Sequence, residues 1–521
     1  MFWKKSQMKI IKASVTIGTF TLLSRIFGLV RDLLMAVVIG TSMIADSFFV
    51  AFRFPNMFRA LFAEGAMNSA FIPIFAKSLN KDKQQAIAFA KQTGTLLLLW
   101  IALFCILMMF FMPEIMSVQA VGFAMDMDKF LLTIELARLM FPYLAFMVMN
   151  ALFASILNSF EQFILPAFVP IILNICIILS LIGIYYDVIP LTGYELGISV
   201  LIAGLLQASI LFITCLKYGI MPFTKSIDIT QNVKEFFKKV LPVIIGSSLL
   251  QLNIFIGTIL ATTLEGGSVS YLYYADRLSQ LPLGVIGIAI GIALIPMLSK
   301  SIANNNKKEV INNQSDAILF SMFLTLPASV AFLIIAPAII SGLFMYGNFD
   351  LVATYKTAYA LQAMAIGLPA FVLIKVLSPV FFARGNTTIP VRISIICMIV
   401  NILLSIILMK YIYHIGIALA TSISAWLNVV LLLIMVRLKN IELIRKNTFK
   451  TLIKMLCASI LMGVIIFELN NIFYEILVSR NDIKILYLLF IISLGLLSYF
   501  IFSILTGAIS TRKIKYSLRK K

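Results

Sequence analysis

The residues with the most chemistry in this 521-residue chain are charges set in apolar surroundings. Seven bases (Arg25, Arg31, Arg53, Arg59, Arg138, Arg277 and Lys375) and five acids (Asp32, Asp46, Glu64, Glu135 and Asp276) interrupt long runs of Leu, Ile, Val, Phe and Ala. The planar fork of arginine donates two parallel hydrogen bonds, a shape matched to phosphate. A pyrophosphate carries several negative charges and needs several such forks. The pattern points to a site for a phosphorylated or otherwise anionic ligand. The competing use is ion pairing, for cation coupling or for docking one part of the protein on another.

Bond-making chemistry has few candidates. The chain has one histidine, His414, which excludes a histidine dyad or a His-ligated metal. Its five cysteines, Cys105, Cys176, Cys215, Cys397 and Cys457, lie in apolar runs without CxxC spacing and read as buried thiols. There is no Walker loop for ATP hydrolysis. No acid pair sits in a sizeable domain outside the apolar runs, which argues against glycosyl transfer. The expectation is a protein that is not an enzyme and holds no cofactor.

The elements that position these charges follow from composition. The chain is 61% hydrophobic and 12% charged, with mean hydropathy +1.04. Soluble domains are nearer half apolar and a quarter charged, so a water-soluble fold is excluded. The spacing predicts an all-α polytopic membrane protein of fourteen transmembrane helices. They fall near 10–40, 46–76, 92–113, 130–157, 163–186, 193–216, 232–263, 269–299, 315–344, 352–383, 389–412, 415–437, 451–470 and 485–508. No cleavable signal peptide is expected, because the first apolar stretch is long, contains Arg25 and Arg31, and lacks a small-residue cleavage site.

Net charge is +20. Thirty Lys and Arg fall between spans on the side of the N-terminus, against five (Lys129, Lys356, Lys410, Arg480 and Lys484) on the other. That bias puts both termini in the cytoplasm and makes basic loops, not nucleic-acid binding, the reason for the charge.

The chain also repeats itself. Ala70-Phe-Ile-Pro-Ile-Phe-Ala-Lys-Ser78 and Ala293-Leu-Ile-Pro-Met-Leu-Ser-Lys-Ser301 stand 223 residues apart, and Pro166 and Pro390 stand 224 apart. Two six-helix lobes are expected, at 1–220 and 221–445, related by an axis along the membrane normal. A further pair of helices and a basic tail occupy 446–521.

A base at a helix centre costs about 3 kcal/mol if it faces lipid, so these arginines must face a wet cavity, an acid or an anionic ligand. In Ser24-Arg25-Ile-Phe-Gly28-Leu-Val-Arg31-Asp32, the arginines lie six apart and point about 120° apart on a regular helix. A bend at Gly28 would bring them onto one cavity. The competing reading of Arg31 is an ion pair with Asp32 or an acid on another helix. Pro55 should kink the second span, where Arg59 and Glu64 lie five apart and could pair loosely. Arg53 reads first as a structural partner of Asp46 or Asp276. Against it in the repeat, one residue out of register, stands Arg277 in Tyr273-Tyr-Ala-Asp-Arg277. Opposed lobes thus each supply arginine at similar depth, as an anion site between them would require. Lys375 would line the same cavity or snorkel to the interface.

Ser24–Asp32, Ala45-Asp46-Ser-Phe-Phe-Val-Ala-Phe-Arg53-Phe-Pro-Asn56, Phe62-Ala-Glu-Gly-Ala66, Ala70-Phe-Ile-Pro73, Ser268–Leu278 and Pro282-Leu-Gly-Val-Ile-Gly287 resemble, in order, the MurJ/MviN family of the MOP transporter superfamily. The resemblance implies two six-helix lobes plus two final helices. It also implies a flippase that moves lipid II, the undecaprenyl-pyrophosphate-linked disaccharide-pentapeptide, across the bacterial cytoplasmic membrane by alternating access. By resemblance, Arg25, Arg31, Arg59 and Arg277 match cavity arginines, and Asp46 matches an essential acid. Spans 451–470 and 485–508 match a groove for the polyprenyl tail. Asn401, Ser405 and Thr421 match a sodium region of some members, with Ser405 where a carboxylate would stand; Na+ or H+ is the implied coupling ion. The chain is expected to act as a monomer among membrane lipids. Two rivals are a cation-coupled drug exporter of the same superfamily, which would favour a carboxylate-lined cavity, and a non-transporting scaffold for cell-wall synthesis.

Overall fold

A computed structural model describes residues 2–59, 61, 67, 70–225, 228–442, 444–445, 447–479 and 483–508. Glu64, Lys446, Arg480 and the basic tail from 509 onward lie outside the described residues. Among those described there is no β-strand, and nine helical segments are long and apolar enough to cross a membrane. The protein is a helical, multi-pass membrane protein.

Helix limits follow local chemistry. Asp82, Asp126 and Asp350 each cap a helix by accepting a backbone N–H, from Gln84 at 2.8 Å, Lys129 at 3.2 Å and Ala353 at 2.7 Å. Pro142, which has no N–H to donate, separates Met127–Met140 from Tyr143–Ser159 within the expected fourth span. The segment Thr388–Leu438, 51 residues long, leaves helical geometry at Ile412 and Tyr413. A Cβ on Gly416 would lie 2.5 Å from the carbonyl carbon of Leu408. Eight residues of straight helix span about 12 Å, so the chain doubles back there. Residues 388–411 and 414–438 are separate helices, divided where the apolar periodicity placed the boundary between 389–412 and 415–437.

The chain forms two compact units, Met1–Val269 and Ser270–Lys521. In the first, Phe2–Val38 packs along Ile164–Tyr185, and Met43–Arg59 along Met127–Met140. The connection after Tyr194–Lys217 lies against Lys83–Phe110: Thr95 Oγ1 donates to the Thr224 carbonyl at 3.2 Å and accepts the Thr224 N–H at 2.9 Å. That approach requires Gly94, where a Cβ would fall 2.1 Å from the Pro222 carbonyl oxygen. Gly94→Ala is expected to destabilise the protein by about 1–3 kcal/mol; an unchanged melting temperature in detergent would rule out the close approach.

In the second unit, Lys307–Phe344 packs against Leu351–Phe382, which packs against Thr388–Leu438. The final helices Thr448–Ile472 and Lys484–Leu505 pack on each other and on Lys307–Phe344. Lys484, expected in an outer loop, is fully buried and donates to the Met345 carbonyl at 2.6 Å, with its ammonium 4.0 Å from the Tyr346 ring centroid.

Candidate functional site

Helix Phe2–Val38 runs unbroken through Gly28, and the two arginines around that glycine end in different surroundings. Asn174 of the neighbouring helix lies beside Gly28, its side chain 3.9 Å from where a Cβ would stand, an ordinary contact distance. Asn174 donates to the Ser24 carbonyl at 3.1 Å and accepts from Arg31 Nη1 at 2.9 Å. Arg31 Nε and Nη2 bond the adjacent Asp32 Oδ1 at 3.0 and 2.7 Å. Both side chains are buried, so Arg31 occupies the ion pair with Asp32 that competed with ligand contact. Arg25 is exposed, with no ion pair or hydrogen bond among the described residues.

Asp46 lies in the first turn of Met43–Arg59 and is 1% exposed. Its Oδ2 pairs with Lys129 Nζ at 2.7 Å and accepts the Gly267 N–H at 2.8 Å. Gly267 has φ +88°, a left-handed geometry that suits glycine. Lys129 is 6% exposed, its ammonium 4.0 Å from the Phe123 ring centroid. Its carbonyl accepts the Thr133 hydroxyl at 2.7 Å and the Ser47 hydroxyl at 3.4 Å. Sequence reasoning placed Lys129 among the outer loop cations and missed it as the partner of Asp46. Its rarity on the outer side was the one signal that could have singled it out.

Further along the same helix, Arg53 Nε donates to Thr258 Oγ1 at 3.3 Å and Arg59 Nε to Asn56 Oδ1 at 2.8 Å. Both arginines are half-buried. Thr258 is a partner that the sequence did not suggest. Glu64, the expected partner of Arg59, lies outside the described residues.

In the second unit, Arg277 is half-buried, its guanidinium stacked 4.7 Å from the centroid of Tyr273 one turn earlier. Such stacking holds a cation in place without removing its charge. Gln280 donates to the neighbouring Asp276. Lys375 is exposed on Leu351–Phe382. Asn401 and Ser405 are buried on one limb of the broken helix, and Thr421 on the other donates to its own Ile417 carbonyl at 2.9 Å. Among the described residues, no three His, Cys, Asp or Glu side chains are grouped to hold a metal ion.

A family model described as lipid II flippase MurJ matches residues 35–488. A probable lipid II flippase MurJ of Rhizobium tropici is 39% identical over 522 residues, covering 99% of this chain and 97% of that protein. One of Rickettsia prowazekii (strain Madrid E) is 36% identical, covering 91% and 93%. Among solved structures, a lipid II flippase MurJ in an inward closed conformation matches with TM-score 0.78 and 28% identity, covering 94% of this chain and 98% of that one. An inward-facing multidrug resistance MATE family transporter of the MOP superfamily matches with TM-score 0.67 at 18% identity, covering 82% and 99%. This second likeness is one of fold.

Proposed function

Because the chain belongs to the MurJ family of lipid II flippases, we propose that it carries lipid II from the cytoplasmic to the outer leaflet of the bacterial inner membrane. It does so by alternating access, with fourteen spans and both termini in the cytoplasm. Lobes 1–220 and 221–445 each supply residues for the headgroup, and the helices within 446–521 guide the polyprenyl tail through lipid. The chain works as a monomer, by binding and release, with no covalent step.

The observation that carries the reading is Arg25: a guanidinium in the middle of an apolar helix, exposed, without an acid or hydrogen-bond partner among the described residues. Facing lipid it would cost about 3 kcal/mol. Facing a water-filled path, it serves a diphosphate. Arg59 and Arg277 are further arginines for the same ligand. Arg31, tied to Asp32 and Asn174, positions the helix that carries Arg25. Arg53, Glu64 and Lys375 are secondary contributors to the path. The pair Asp46–Lys129, with the Gly267 amide, ties the start of Met43–Arg59 to two neighbouring segments and sets when the outer end opens. Membrane potential supplies drive, since one charge moved through 100 mV is worth about 2.3 kcal/mol. Oxygen groups at Asn401, Ser405 and Thr421 offer a place for Na+ rather than for a metal that needs carboxylates.

Depletion of the protein tests the function. Lipid II should accumulate in the cytoplasmic leaflet and become inaccessible to a probe added outside. Normal exposure of lipid II after depletion would eliminate the reading. Efflux of cationic drugs by purified protein in vesicles, with lipid II untouched, would establish the exporter instead. The bias toward arginine over acids inside the spans weighs against that outcome.

A further inference from the structure

Three connections of the second unit (304–306, 383–387 and 439–442) meet around a cavity of about 560 Å3. Its wall includes Asn305, Asn306 and Lys307 from the first, Arg384 from the second, and Asn440 and Glu442 from the third. The rim is preformed. Three helices stop at it in left-handed residues: Asn305 at φ 52°, Gly385 at φ 74° and Asn440 at φ 51°. Each stop is closed by a bond back across the last turn. Asn306 N–H donates to Ser301 at 2.9 Å, Asn386 N–H to Phe381 at 3.0 Å and Ile441 N–H to Val436 at 3.0 Å. Beside them a fourth helix begins at Lys307, with Asn306 as its cap and its positive dipole end at the cavity.

Two cations and one acid face this space, and none of Lys307, Arg384 or Glu442 forms an ion pair among the described residues. Arg384 spends one nitrogen on the Val380 carbonyl, Nη1 to oxygen at 2.9 Å. Partial burial holds its guanidinium below its ordinary pKa, as expected of a cation that has lost water without gaining an acid. Asn306 Nδ2 is spent on the Glu309 carboxylate at 3.1 Å, so the lining offers one net positive charge and the Asn305 and Asn440 amides, a balance that suits a singly charged, oxygen-rich group. Volumes of this size hold small ligands and headgroups.

We propose that this cavity binds the phosphate of a phosphodiester or free phosphate at the cytoplasmic face, through Arg384 and Lys307. The planar fork and the point charge are the two usual partners of phosphate oxygen. On the topology argued above, all three connections lie on the basic side of the membrane, where pockets of this kind meet anionic headgroups. Its lining includes none of the arginines assigned to lipid II, so it offers a place where membrane composition or cytoplasmic phosphate acts on the transporter.

Two arms test it on the full chain. In the first, the protein is placed in phosphatidylcholine nanodiscs with graded phosphatidylglycerol, and retained lipid is counted by native mass spectrometry. In the second, inorganic phosphate is titrated against the melting temperature in neutral detergent. K307Q/R384Q should lose affinity about tenfold or more in one arm, and that arm identifies the source as lipid headgroup or free phosphate. K217Q/K225Q, which removes two exposed cations from the other unit, should behave as wild type. The single variant K307Q, an exposed side chain without an ion pair, keeps the test valid if the double variant melts early. Wild-type behaviour of K307Q/R384Q in both arms, or of K307Q should the double variant melt early, or equal loss in K217Q/K225Q, would overturn the site.

Discussion

Asp46→Asn is expected to abolish lipid II translocation and to destabilise the protein, and Lys129→Met should do the same. Removing one member of a buried ion pair costs about 3–5 kcal/mol, because the other charge stays buried without compensation. Asp46 and Lys129 are 1% and 6% exposed, so solvent does little to screen either. Asn at 46, with its amide oxygen in the place of Oδ2, can still accept from both the Gly267 N–H and the Lys129 ammonium, but it no longer carries the negative charge that balances Lys129. The double variant Asp46→Asn/Lys129→Met should recover much of the lost stability, since neither charge then remains. It should not recover transport, because the carboxylate proposed to set when the outer end opens is gone. Melting temperature and translocation into vesicles, measured side by side, separate these effects. If the double variant melts as low as either single variant, the pair is not the source of the stability loss. If it transports normally, Asp46 and Lys129 have no part in gating.

The second large effect is expected at the exposed Arg25 of the first helix and at Arg277 in the second unit. Arg25→Ala and Arg277→Ala should each reduce translocation by about ten- to a hundredfold, the loss that follows when a charge-assisted hydrogen bond worth about 1.5–3 kcal/mol is removed. Insertion and melting temperature should be nearly unchanged for Arg25→Ala, because that side chain has no internal partner among the described residues. Arg31→Ala should behave differently. It breaks the bonds to Asp32 and Asn174, so stability falls along with transport. Arg25→Lys keeps charge but loses the fork and should give intermediate rates. Normal flipping by Arg25→Ala or Arg277→Ala would remove that residue from the substrate path.

Much of the fold was legible because it is written in short-range pattern. Apolar runs of membrane length need no partner to be recognised, whereas the helix starts capped by Asp82, Asp126 and Asp350 and the break at Pro142 within 130–157 were not singled out in the sequence. Even the reversal within Thr388–Leu438 fell where the periodicity lapsed, around Ile412 and Tyr413. The charged positions were visible for the same reason, since a base in a run of Leu and Ile carries its cost wherever it sits. Their partners were not. Asp46 meets a lysine 83 positions away, Arg31 an asparagine 143 away, and Arg53 a threonine 205 away. Nothing local marks Asn174 or Thr258 as a receiver.

The amino-acid order by itself determined that this protein crosses a membrane many times, and that charge is retained inside its helices. Each of those is a sum over neighbours in sequence. Only the tertiary structure decided which of the retained charges is paired. Arg31 and Lys129 pair with acids, while Arg25, six residues from Arg31 on one helix, has no acid partner among the described residues. The reason is geometric. A helix turns its residues to different faces, and only the packing of other helices determines whether a given face meets a carboxylate, an amide or open space.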